Sequence, residues 1–189
     1  MELYASAVDA GPVQTFNAPL AWNYEFLALL AERDGSRWTQ SFRVRKAVSL
    51  HVYAQGESTG DEEFADYGWI LDARTRRPVW EMNKGKALYG GGAKKNHRQV
   101  ETVQLPPGDY IASYVADGSH SPADWNAAPP CDPLRYGLIL SVAKEGDRAQ
   151  VELAPAPEEG PALAKLGRME DHRNERASFT LATAGKVRV

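Results

Sequence analysis

The chain has 189 residues, 43% of them hydrophobic, with 22 basic against 25 acidic side chains and a net charge of −3. That is enough apolar material for a core, which excludes wholesale disorder, and too little positive charge for a general nucleic-acid binder. The lone Cys131 excludes an intramolecular disulfide and a cysteine-rich zinc site, and no apolar run reaches the length of a bilayer span.

"MELYASAVDAG" lacks the basic start and apolar stretch of a signal peptide, so a soluble chain is expected, either as it stands or as a processed piece of an exported protein. Residues 1–24, ending in a Gly- and Pro-bearing stretch, read as an extended arm. "AWNYEFLALLAERDG" fits a helical face at Leu20, Tyr24, Leu27 and Ala31, yet "FLALLAER" also fits a buried strand. The following "DG" and "SRWTQSFRVR" form a hairpin signal and tip the reading towards strand.

From there the texture is β. Phe42 and Val44 share one face; Val48, Leu50 and Val52 share another, with Ser49 and His51 opposite. This alternation is what a half-buried strand requires, since successive side chains point to opposite sides. After the acidic loop "ESTGDEEFAD" come "YGWILDA" and "RPVWEM", a glycine-rich loop "NKGKALYGGGAKKN", then "RQVETVQL". "LPPGDY" (105–110) ends one strand at a proline pair and starts the next at Tyr110, with Gly108 expected at positive φ. "YIASYVA" and "YGLILSVA" are the next strands, separated by the long stretch "DGSHSPADWNAAPPCDP" (117–133). Short strands with turn signals every 8–12 residues indicate an all-β antiparallel sandwich of jelly-roll or immunoglobulin-like type over 25–143. Residues 144–162, rich in Pro, Ala and Glu, read as a linker, and 163–189 as a β extension. Within that extension "SFTLATAGKVRV" (178–189) aligns without a gap on "SFRVRKAVSLHV" (41–52), either as the start of a second repeat or as two similar amphipathic strands.

Four strings in order, "DYGWILDARTRRPVWEM" (66–82), "GGGAKKN" (90–96), "LPPGDY" and the 117–133 stretch, preceded by "SFRVRKAVSLHVYAQGE" (41–57), resemble a bacterial domain found in exported, often multidomain proteins. Its plan is similar to that of jelly-roll-like pre-peptidase C-terminal domains. The resemblance implies a fold and a periplasmic or extracellular setting, with no catalytic activity attached.

The 117–132 loop concentrates the chemistry. Ser119, His120 and Asp117 are the residue types of a hydrolase, but near neighbours in a loop point apart and no GxSxG elbow is present. Asp117, Asp124 and Asp132 could supply oxygen ligands to calcium, though without EF-hand spacing. The structural reading is that Asp117 and Asn126 close Asx turns, Trp125 anchors the loop and three prolines stiffen its exit. Either way Asp117, Ser119, His120, Asp124, Trp125, Asn126 and Asp132 form the candidate binding loop. Lys94, Lys95, Asn96 and Arg98 form a second candidate, an anion or partner patch beside three glycines. Trp69 and Trp80 are expected in the core, leaving Trp22, Trp38 and Trp125 as candidates for stacking on a sugar.

The expected function is a non-catalytic protein-interaction or assembly module, with a calcium-braced carbohydrate-binding module and a hydrolase as alternatives. A protein partner is expected, a glycan second, with no nucleic acid, no transmembrane segment and no cofactor other than calcium. Attachment to a membrane through a partner fits the same reading.

Overall fold

A computed structural model describes residues 23–60 and 63–155. These residues form ten strands in two antiparallel five-stranded sheets packed face to face. The first sheet, in the order β1-β9-β3-β7-β6, contains Glu25–Leu30 (β1), Gly137–Val142 (β9), Val48–Glu57 (β3), Asn96–Leu105 (β7) and Leu88–Tyr89 (β6). The second, in the order β10-β2-β8-β4-β5, contains Val151–Ala154 (β10), Arg37–Val44 (β2), Gly108–Val115 (β8), Tyr67–Asp72 (β4) and Pro78–Glu81 (β5). The expected all-β antiparallel sandwich is what the chain forms.

The alternating residues meet between the sheets. Phe42, Val44, Val48, Leu50 and Val52 are each at most 2% exposed. Phe42 stacks on Tyr110 with ring centroids 5.4 Å apart, and Phe26 meets it edge-on at 5.5 Å. Trp80 is buried as expected and donates its indole N–H to Glu101 Oε2 at 2.6 Å, whereas Trp69 is half-buried.

Several local readings differ from the sequence expectation. "FLALL" is a strand, but the "DG" that follows it does not close a hairpin. β1 pairs with β9 and β2 with β8 and β10, so the turn carries the chain from one sheet to the other. Gly35 supplies the left-handed residue at that corner, with φ 69°. "LPPGDY" likewise bridges the sheets, from β7 to β8. Gly108 is not among the positive-φ residues; the corner is instead tied by the Tyr110 hydroxyl, which donates to the Pro106 carbonyl at 2.8 Å. The residues read as the start of a linker, 144–154, hold a short 3-10 turn and β10, which pairs with β2 from Val151↔Val44 to Ala154↔Ser41. Val151 is 3% exposed, so one inward apolar residue anchors this strand despite its Pro- and Glu-rich surroundings. The arm over 1–22, the extension 163–189 with its match to 41–52, and Trp22 lie outside the described residues.

Candidate functional site

The loop between β8 and β9 passes from one sheet to the other at one end of the sandwich. The first thing that shapes it is His120. The residue sits at φ 65°, a left-handed conformation costing a non-glycine residue on the order of 1 kcal/mol, and is 0% exposed. Its Nε2 lies 2.6 Å from Asn96 Oδ1. The Asn96 Nδ2 donates to the carbonyls of Gly91 at 2.8 Å and Ala128 at 2.9 Å, which fixes Oδ1 as the acceptor and places a proton on His120 Nε2. His120 Nδ1 faces Asn126 Oδ1 at 2.9 Å, an oxygen that also accepts from Lys95 Nζ at 2.5 Å. Holding that second contact as a hydrogen bond takes a second ring proton, which burial and the nearby Lys95 ammonium oppose by lowering the His120 pKa.

Asn96 makes one unit of two motifs that lie more than twenty residues apart in sequence. The glycine-rich turn packs against residues 128–131: Cys131 N–H donates to Gly90 O at 2.9 Å, Ala93 N–H to Ala128 O at 2.9 Å. Gly91 (φ 89°) and Gly92 (φ 67°) are required there. A β-carbon on Gly92 would overlap the Pro129 carbonyl oxygen, and one on Gly91 the Cys131 sulfur. The three glycines therefore serve close backbone approach.

The aromatic lining of the loop is inward. Trp125 meets His120 edge-on at 4.7 Å and Tyr136 at 5.2 Å, at interplanar angles of 72° and 85°. The Tyr136 hydroxyl donates to Asp66 Oδ2 at 2.6 Å, and Asp117 N–H donates to Asp66 Oδ1 at 2.7 Å. At the other end of the loop, Asp132 receives Gln55 Nε2 on its carbonyl at 2.6 Å and the Tyr53 hydroxyl on Oδ2 at 3.3 Å. Ties to both sheets thus hold the loop, and it covers the outer face of β3, where Tyr53 and Gln55 are at most 1% exposed.

The predicted residues separate accordingly. His120, Trp125 and Asn126 meet at the centre of the brace. Asp117 closes an Asx turn onto Ser119 N–H at 2.8 Å, as expected, while Ser119 Oγ turns to Asp117 Oδ1 at 3.4 Å. Both ring nitrogens of His120 face asparagine oxygens, and neither faces Ser119 Oγ. Trp125 is half-buried and packs at steep angles against His120 and Tyr136. Asp124 joins Ser121 across a one-residue bridge. In the second candidate patch Lys95 pairs with Glu57 Oε1 at 2.7 Å, Asn96 is 0% exposed, Arg98 is half-buried and Lys94 is exposed. Of the three aspartates read as calcium ligands, Asp117 alone joins an acidic cluster. Its partners are Glu57 and Asp66, neither anticipated from sequence.

That cluster is electrostatically unusual. Asp66 is 0% exposed, and burial pushes its carboxyl up to about 7; hydrogen bonds from Tyr136 and Asp117 pull the other way. The Tyr114 and Tyr136 hydroxyls are both raised, chiefly by burial. The only sequence trace of the cluster is that Asp66 opens the string "DYGWI", directly before a strand. A separate cavity of about 420 Å³ at the β4–β5 end is lined by Glu63, Phe64, Tyr67, Glu81, Met82, Asn83 and Lys84, none of them a predicted site residue. No family model, no curated protein and no solved structure matches this chain.

Proposed function

We propose that this domain is a non-catalytic protein-interaction module that docks through the β6 edge of the first sheet. The observation that carries this reading is an exposed apolar pair on one face of a rigid support: Leu88 is 61% exposed and Val100 45%, while Tyr89, on the opposite face, is 46% exposed. Leu88 lies opposite Arg98 on β7, so Val100, two residues on, is its diagonal neighbour on the same face. Among the described residues β6 is the last strand of its sheet, and no further strand pairs with its outer edge, the geometry that strand addition uses. The support is stiff because the glycine-rich turn after β6 is fastened to the long loop, and the Tyr89 hydroxyl donates to Gly92 O at 2.5 Å. A pre-ordered surface loses little entropy on contact. The sequence resemblance to multidomain exported proteins supports the same reading, with the domain as a segment or an extrinsic subunit of a larger assembly.

The test is a photo-crosslinking amino acid at position 88, with position 145 as control, used to capture partners in the native source. The expected result is a discrete protein adduct at 88 that Val100→Asp, on the same face, abolishes. Equal labelling at 88 and 145 would overturn the proposal.

A further inference from the structure

We propose that Glu57, Asp66 and Asp117 form a calcium site that fastens the base of the long loop to both sheets. Glu57 ends β3 in the first sheet. Asp66 precedes β4 and Asp117 follows β8, both in the second. One carboxylate oxygen from each lies within 4.8 Å of the others. Calcium binds oxygen at about 2.4 Å, so two ligands of one ion stand at most about 4.8 Å apart. The donor set is all oxygen with no thiolate or imidazole, which suits a hard cation and not zinc.

A second, independent observation points to a ligand. Glu57 is 7% exposed, and its Oε2 is buried with no hydrogen-bond donor among the described residues, while Oε1 is held by Lys95. A carboxylate oxygen can only accept, so a buried one without a donor needs a proton or a cation. The all-oxygen donor set and its spacing of 4.8 Å or less favour the cation. One backbone hydrogen bond and one backbone-to-side-chain bond hold the three segments in place: Ala65 N–H donates to Glu57 O at 2.8 Å and Asp117 N–H to Asp66 Oδ1, which fixes their spacing before any ion arrives. Each Asp66 oxygen accepts one hydrogen bond and retains a lone pair. Asp117 is exposed and gives the ion its way in from solvent.

The experiment uses the full chain stripped with EDTA. Calcium is titrated by calorimetry, with melting temperature read in parallel and terbium luminescence, sensitised by nearby Tyr136, as a local probe. The expected result is saturable one-to-one uptake at millimolar calcium or below and a rise in melting temperature. Asp117→Asn, at an exposed position that should leave folding intact, and Glu57→Gln should each weaken uptake about tenfold or more, while Asp124→Asn and Asp132→Asn should leave it unchanged. No saturable uptake at 10-fold higher calcium, or uptake indifferent to Asp117→Asn and Glu57→Gln, would overturn the site and leave a shared proton as the partner of Oε2.

Discussion

Replacing Asn96 with alanine should lower folding stability by about 3–7 kcal/mol. The side chain makes three hydrogen bonds, but their loss is unequal. Gly91 O and His120 Nε2–H are buried, and each stranded group costs about 1–3 kcal/mol. Ala128 is exposed, so water replaces the amide at its carbonyl at little cost. The vacated volume, a few heavy atoms in a site 0% exposed, adds about 1 kcal/mol. Asn96→Asp is the informative companion. It keeps an acceptor for His120 but turns a carboxylate oxygen towards the Gly91 and Ala128 carbonyls, so it should be no better than alanine. Urea denaturation gives the stability. Amide hydrogen exchange locates the damage, because Ala93 and Cys131, whose N–H groups bond Ala128 O and Gly90 O, should lose protection first. A loss below about 1 kcal/mol in Asn96→Ala, or recovery in Asn96→Asp, would refute the assignment of Asn96 as the fastener of the two motifs.

Two further outcomes follow from the same geometry. Gly92→Ala should destabilise the protein by about 2 kcal/mol or more, since a left-handed residue gains a β-carbon that overlaps Pro129 O, whereas Gly118→Ala, with open space around it, should change stability by less than about 0.5 kcal/mol; equal effects in thermal melts would contradict this. His97, whose Nε2 lies 3.1 Å from Ser58 Oγ, has a pKa lowered first by burial and then by Lys84. A base with a depressed folded pKa contributes stability above its unfolded value of 6.5 that is lost as pH falls through and below it. Urea midpoints measured between pH 7.5 and 5.5 should therefore fall less in His97→Gln than in the parent chain, and an unchanged slope would count against the assignment.

The sequence by itself determined the sandwich, the faces of its strands and the self-bracing character of the long loop. Alternation at 41–52 placed Phe42, Val44, Val48, Leu50 and Val52 inward because a strand has a period of two and no other regular structure satisfies that pattern. Asp117 with Ser119, and the prolines around Cys131, are local devices that act within a few residues. Tertiary structure decided whatever depends on which segments become neighbours. The "DG" turn carries local turn chemistry, but only the two-sheet arrangement decides that it changes sheets instead of closing a hairpin. "GGGAKKN" and "DGSHSPADWNAAPPCDP" look like two sites in sequence and are one structure in space, because Asn96 reaches across to His120 and Ala128. Glu57, Asp66 and Asp117 carry no spacing signal, since strand pairing alone sets their distance. The same pairing buried His120 completely and laid a half-buried Trp125 against it: a loop laid over a sheet must bury its own polar groups and satisfy them internally.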